Sequence, residues 1–384
     1  MKKVWSYEPV DYRTWPSLSE PQVQTVTIKS GLTTSKISFF FSNLNGVSDL
    51  HLIKLKFILI RSGKIINKFP ILFSGENELT MKMDQELYSD PILAEIKADD
   101  FIQIKITLPE RCYLTSGVVT YSLLNLRVEN ERLSDGKRID QLDYCKMVQD
   151  NPRMTYFVGV TGIEMMTPKT TQIVTVFGDS ITQQGFFVNH LRNDLQTANS
   201  NCFMINNCGI GGNRVLFDTD PMMDKWYRHG IAGINRFEND VFKDSSPDAV
   251  VVFHGINDII QETAHPGDVE DMNKLIEGLT KYAKIIKEHQ AKSFICTLLP
   301  LGRSRFYSDH VEKNRQLINE WIRNQNIYDH IIDLDKVGKN ILDSRILNHE
   351  YDSGDGLHPN DFGGATLAGE ASKVILRHCN KQTN

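Results

Sequence analysis

Four short segments of this chain carry residues whose types and spacing could perform covalent chemistry. Gly178-Asp179-Ser180-Ile181-Thr182 follows the apolar run 173–177 and sets a serine hydroxyl on the turn after a strand. In an open parallel sheet, functional groups collect just beyond the carboxyl ends of the strands, which is where a nucleophile belongs. A serine in that place is also a common helix N-cap. Asn206-Asn207-Cys208-Gly209-Ile210-Gly211-Gly212-Asn213-Arg214 is a glycine-rich turn whose backbone N–H groups can come close to a bound oxygen, because no Cβ holds it off. Val250-Val251-Val252-Phe253-His254-Gly255-Ile256-Asn257-Asp258 reads as a buried strand ending in a glycine and two short polar side chains. The Asn257 amide could donate to an oxyanion, although an Asn-Asp pair is otherwise a turn or a helix cap. Tyr351-Asp352-Ser353-Gly354-Asp355-Gly356-Leu357-His358-Pro359-Asn360 places a carboxylate three residues before an imidazole. At that spacing Asp355 can accept from one ring nitrogen of His358 while the other nitrogen faces a serine, the arrangement of a nucleophile, its base and the group that orients the base.

Each segment has a rival reading. The glycine turn lacks the Gly-Lys-Ser/Thr and Gly-x-Gly-x-x-Gly patterns of phosphate-binding loops, and a plain tight loop is the alternative. Cys208 is a second candidate nucleophile, but no histidine is paired with it locally. His254 is a second candidate base, or a structural histidine at a strand end. His349, Asp352, Asp355, His358 and Asp361 crowd one stretch that a metal could use, yet without HExxH-type or calcium-loop spacing.

The elements that must position these groups show two periods. In the first half, Ile53, Leu55, Phe57 and Leu59 interleave with Lys54, Lys56 and Ile58, and Ile102, Ile104, Ile106 and Leu108 with Gln103, Lys105 and Thr107. A period of two predicts half-buried strands. Leu79, Met81 and Met83, together with the run 37–41, add further strands, which argues for a β-sandwich or jelly roll. In the second half, Val269, Met272, Ile276, Leu279, Ala283 and Ile286 recur at spacings of three and four behind Asp268 as N-cap. Val311, Leu317, Ile318, Trp321 and Ile322 predict a second amphipathic helix. These alternate with the apolar runs 173–177, 249–253, 293–298 and 331–334, the pattern of a parallel sheet covered on both faces. The period changes near Thr167-Pro168-Lys169-Thr170-Thr171, so the expected division is residues 1–165 and 166–384.

All four segments occur once and in order, and in this the sequence resembles the SGNH hydrolases. That superfamily is recognised by a Gly-Asp-Ser block, a glycine block, a Gly-x-Asn-Asp block and an Asp-x-x-His block, matched here at Ser180, Gly212, Asn257 and His358. The resemblance implies a flavodoxin-like three-layer α/β domain after the N-terminal β-sandwich, and a serine esterase with Ser180 as nucleophile, His358 as base and Asp355 as orienter. It also implies an oxyanion hole made by the backbone N–H groups of Ser180 and Gly212 and the side chain of Asn257. No metal or organic cofactor is required by it. Residues 237–241, 319–323 and 351–363 look like a bacterial GDSL-like acylhydrolase branch in which a β-rich region precedes the catalytic domain, so the resemblance covers most of the chain. That branch tends to carry Asp-Gly after Gly-Asp-Ser-Ile-Thr, whereas this chain has Gln183-Gln184-Gly185-Phe186-Phe187, which points to a different pocket beside the nucleophile. Small acyl esters on carbohydrate are the expected substrates. A short-chain acyl lipid and a non-catalytic carbohydrate-binding protein are the alternatives.

Composition agrees with such an enzyme. At 384 residues the chain has room for two cores, and 40% hydrophobic with 24% charged residues is an ordinary globular balance. A net charge of -5 offers no general attraction to nucleic acid or an anionic membrane. No apolar stretch of about seven residues follows Met1-Lys2-Lys3, so no signal peptide is expected. No segment approaches the roughly 18 apolar residues of a membrane helix. The expectation is a cytoplasmic protein whose six scattered cysteines are reduced and mostly buried. The sequence carries no signal of oligomeric state.

Overall fold

A computed structural model describes residues 1–219, 229–260 and 271–379. They fall into two compact units, residues 1–171 and 172–379.

The first unit is built of antiparallel strands. In one sheet Lys2–Tyr7 pairs with Gly159–Met165, which pairs with Thr34–Ser42, and that strand in turn pairs with Glu86–Tyr88 and Ile92–Ile96. The other runs in the order Arg138–Ile139, Leu126–Arg132, Gln22–Lys29, Phe101–Leu108, Leu50–Arg61, Lys64–Pro70. The two sheets face one another, with Phe39 of the first edge-on to Phe57 of the second at 5.6 Å between ring centroids. Along Phe101–Leu108 the expected alternation holds as far as Ile106: Ile102, Ile104 and Ile106 are buried while Phe101, Gln103 and Lys105 reach solvent, but Thr107, expected on the outer face, is buried too. Along Leu50–Arg61 it breaks. Leu55, Phe57 and Leu59 are buried, but Ile53 falls on the opposite face with Lys54 and Lys56 on the solvent side, and inward packing resumes at Leu52 and Leu50. Lys54 takes a left-handed φ of 54° where the register against Phe101–Leu108 slips, and an inserted residue reverses the parity of everything beyond it. Met83 lies past the end of its strand, Glu78–Met81, and is exposed.

The second unit carries five parallel strands, numbered within it β1 (Gln172–Gly178), β2 (Phe203–Gly209), β3 (Ala249–Phe253), β4 (Lys292–Cys296) and β5 (His330–Ile332). Their order is β2-β1-β3-β4-β5, every pairing parallel. The helices are α1 (Ser180–Gln183), α2 (Phe186–Ala198), α3 (Gly233–Phe242), α4 (Ile256–Ile260), α5 (Met272–Glu288), α6 (Asp309–Asn324), α7 (Leu334–Gly338) and α8 (Asp361–Cys379). They cover both faces, which is why β1, β2 and β3 are buried along their whole length. Phe177, Val250 and Val252 pack with Phe237 of α3, Leu279 and Tyr282 of α5 and Ile318 of α6. Val176, Val251 and Phe253 point the other way, onto Leu191 of α2 and Leu367 and Ala371 of α8.

Several element boundaries depart from expectation. Asp268 and Val269 lie outside the described residues; α5 begins at Met272, capped by Asp271, whose carboxylate accepts from the Asn273 N–H. Leu317 is on the exposed side of α6, while Val311, Ile318 and Ile322 form its buried stripe. The fourth apolar run stops as a strand at Ile332, because Asp333 caps the Lys336 N–H and turns Leu334 into the first residue of α7. None of the six cysteines is in a disulfide, and Cys145, Cys208, Cys296 and Cys379 are buried. Among the described residues no helix is long and apolar enough to cross a membrane.

Candidate active site

The strand order reverses at β1, which has β2 on one side and β3 on the other, and in doubly wound sheets the crevice opens at the carboxyl ends around that point. Ser180 follows β1, the glycine turn follows β2 and Asn257 follows β3, so three of the four segments emerge from adjacent strands.

Ser180 is the first residue of α1, and its helix is capped by Asp179, whose carboxylate accepts from the Ile181 N–H at 3.1 Å. Burial pushes the Asp179 carboxyl up to about 7, against the opposing pull of the Ile181 N–H and of His358. The Ser180 Oγ lies 2.8 Å from His358 Nε2, and His358 Nδ1 lies 2.7 Å from Asp355 Oδ2. The other Asp355 oxygen accepts from the backbone N–H groups of Leu357 and His358 at 2.9 and 2.8 Å. Partial burial alone would raise the Asp355 carboxyl, but the His358 ring and these N–H groups outweigh it and hold the acid well below the usual carboxylate range. An ionised Asp355 can only accept, so the bonding partners assign Nδ1–H to the side facing Asp355 and leave the Nε2 lone pair to receive the serine O–H.

The glycine turn is held against this group. Gln183 Oε1 accepts from the Gly211 N–H at 3.1 Å, and a Cβ on Gly211 would stand 3.9 Å from the Ser180 Cβ. Gln183 is one of the residues that depart from the acylhydrolase branch, and it anchors the turn. Gly212 has φ of 74°, and any Cβ there would fall inside the His229 ring. Asn213 ties the turn to its surroundings. Its carbonyl accepts from Asn257 Nδ2 at 3.1 Å and from His254 Nε2 at 3.0 Å, while its side-chain Nδ2 donates to the carbonyls of His229 and Ile231. Asp258 accepts from the N–H groups of Val215 and Leu216 at 2.8 and 3.0 Å, and burial pushes its carboxyl up to about 6.

The rival residues go elsewhere. His254 is buried, its pKa pushed down to about 3 by burial and by the Arg236 charge, so it stays neutral and donates from Nε2 to Asn213 while Nδ1 faces the Tyr282 hydroxyl. Cys208 is buried and its Sγ faces the Asp240 carbonyl. In the acidic stretch, His349 meets Arg303, Asp361 meets His190, and Asp352 accepts from the Gly354 and Gly356 N–H groups. The supporting roles of Arg236, Asn213, Gln183 and Asp258 are not legible in the motifs. An arginine on the apolar face of α3, four residues before Asp240, was the available signal for the first of them.

Residues 176–365 match the model of the GDSL-like lipase/acylhydrolase family. The second unit therefore carries a GDSL-like lipase/acylhydrolase domain, of the SGNH superfamily. The GDSL-like domain makes the protein a carboxylic ester hydrolase. Similar solved structures include an acetyl xylan esterase, AlAXEase, 23% identical over 53% of this chain and 99% of that one, with a TM-score of 0.39. A GDSL-like lipase from Bacteroides thetaiotaomicron VPI-5482 is 19% identical over 56% of this chain and 91% of that one, TM-score 0.39. A catalytic mutant of Axe2, an acetylxylan esterase from Geobacillus stearothermophilus, is 19% identical over 56% and 97%, TM-score 0.39. A search of curated proteins found no match to this chain.

Proposed function

We propose that the GDSL-like domain hydrolyses small acyl esters, acetyl groups on carbohydrate foremost, through Ser180, His358 and Asp355. The observation that carries this reading is the unbroken chain of hydrogen bonds from the Ser180 hydroxyl through both nitrogens of His358 to Asp355. Ser180 Oγ attacks the ester carbonyl carbon as His358 Nε2 takes its proton. The carbonyl oxygen becomes an oxyanion held by the N–H groups of Ser180 and Gly212 and by Asn257. Collapse expels the alcohol, to which His358 returns the proton, and water then releases the acid from the acyl-enzyme by the same steps in reverse order. Asp355 remains an anion throughout and steadies the imidazolium. No cofactor enters this scheme. In this reading the domain is a flavodoxin-like three-layer α/β unit, and the N-terminal unit, about residues 1–165, is an accessory β-sandwich of jelly-roll kind. The preference for acetyl and for carbohydrate follows from resemblance to the superfamily.

A panel of p-nitrophenyl esters of increasing chain length, run beside acetylated sugars, tests the substrate class. Turnover should be highest for acetyl and fall with chain length; a preference for long acyl chains would replace the carbohydrate reading with the lipid one.

Asn257 separates an oxyanion donor from a turn residue. Its second amide N–H is the group that would meet developing charge, so loss of the side chain should lower kcat more than it weakens binding. The expected cost of Asn257→Ala is on the order of 10² to 10³ in kcat, about 2.7 to 4 kcal/mol. A purely structural Asn would instead show itself as a lower melting temperature with kcat preserved in the folded fraction. Near-normal kcat in folded Asn257→Ala would leave the hole to the two backbone groups.

A further inference from the structure

We propose that Arg236 is the positioning residue of the oxyanion hole, a guanidinium clamp that fixes the glycine turn and the ends of β1 and β2 relative to one another; the proposal rests on the esterase reading above. Arg236 projects from α3 into the sheet and is 3% exposed, so its charge is out of water. Its Nε donates to Asn213 Oδ1 at 2.9 Å, one terminal nitrogen to the Gly178 carbonyl at 2.9 Å, and the other to the Cys208 carbonyl at 3.2 Å and to Asp240 Oδ2 at 2.7 Å. The guanidinium carbon also sits 4.1 Å from the Phe177 ring centroid.

Three of those four acceptors belong to the elements that carry the donors of the hole. Gly178 is two residues before Ser180, Cys208 is four residues before Gly212, and Asn213 directly follows Gly212. Asn213 passes the constraint on, since its carbonyl receives the Asn257 amide. One planar fork therefore sets the spacing of groups on β1, on β2 and on the turn after β2, and through Asn213 that of the residue after β3. A buried ion pair is weak evidence of net stabilisation, because desolvating the two charges offsets their attraction. What the fork supplies is geometry: an oxyanion hole acts only when its donors are already aimed at the place where charge will develop, and small misplacements are costly.

The clamp and a purely structural role differ in what two substitutions do. Arg236→Lys keeps the positive charge but loses the planar fork. Asp240→Asn removes the carboxylate partner, which lies outside the hole, and leaves the other three contacts in place. In the folded proteins, well below their melting temperatures, Arg236→Lys should lower kcat at least about tenfold with KM within about twofold, as expected of a contact made to the transition state. Asp240→Asn should lower the melting temperature and keep kcat within about twofold of wild type. Wild-type kcat in folded Arg236→Lys, or an equal loss of kcat in Asp240→Asn, would overturn the proposal. Asn213→Ala, which keeps its carbonyl but frees the turn from Arg236 and from the His229 and Ile231 carbonyls, supplies the overturning arm of the test if the lysine variant does not fold: about a tenfold fall in kcat is expected, and unchanged kcat overturns the proposal. Ser180→Ala assayed on the same ester keeps the two levels apart, because turnover in that variant would refute the esterase reading itself.

Discussion

Ser180→Ala should lower kcat by on the order of 10⁶, the size of loss seen when the nucleophile of a serine hydrolase is removed. In the proposed mechanism the hydroxyl is the atom that bonds to the acyl carbon, and the other candidate nucleophile of the sequence, the Cys208 thiol, is buried and turned towards the Asp240 carbonyl. Donors of the hole and substrate binding would leave a residual rate of about 10³ to 10⁴ over water. The Ser180 side chain is part-exposed at the start of α1 and its helix cap is Asp179, so loss of the hydroxyl should leave the melting temperature nearly unchanged. Single-turnover kinetics on p-nitrophenyl acetate with a parallel melting curve measure both. A fall of less than about a hundredfold in the folded variant would assign the attack to another group.

His358→Ala should cost a comparable factor, again on the order of 10⁶, because a serine hydroxyl without its base is a poor nucleophile. The double variant with Ser180→Ala should be no worse than either single one, as the two residues act as a unit. Asp355→Asn should cost less, about 10⁴: an amide N–H turned to Nδ1 favours the tautomer with the proton on Nε2, where the serine needs a lone pair. The pH profile follows from the same geometry. Because Asp355 is held well below the usual carboxylate range, it stays ionised through the working range and does not supply the acid limb of kcat/KM. Activity should rise with pH as the base loses its proton, and that limb should vanish in His358→Ala. A rate flat across the acid range in the wild type, or full activity in His358→Ala, would contradict the assignment.

The residues that the structure brings together around Ser180 are legible in the sequence because each stands at a place where strand pattern and side-chain chemistry coincide. Ser180 comes just past the largely apolar run 173–177, and the Asp355 to His358 spacing is itself a local geometry, closed in the structure by two backbone N–H groups and one ring nitrogen on a single carboxylate. The supports were not legible in the same way. Arg236 lies on an amphipathic helix where an arginine ordinarily reads as solvent-facing, and its acceptors are main-chain carbonyls of Gly178 and Cys208, to which residue type gives no clue. Helix α8 escaped the periodicity because Gly363 and Gly364 weaken it. Both are glycines for close approach, since a Cβ would meet the Tyr351 carbonyl at 2.5 Å or Phe186 at 2.6 Å. In the first unit the alternation of 53–59 reads as one strand face, but the slip at Lys54 moves Ile53 to the other side, a backbone event that polarity does not record. Strand order was likewise absent from the pattern, although it is the reversal at β1 that brings the Ser180, Gly212 and Asn257 segments to one crevice.

The most direct test of the central claim is covalent labelling with an active-site serine reagent, a fluorophosphonate, followed by peptide mapping of the adduct. One adduct per chain is expected on the Gly178-Asp179-Ser180-Ile181-Thr182 peptide, formed more slowly in Asn257→Ala and absent in both Ser180→Ala and His358→Ala. An adduct on any other residue, or undiminished labelling of Ser180→Ala, would contradict it, and a folded wild-type protein that takes no label would contradict the esterase mechanism as a whole.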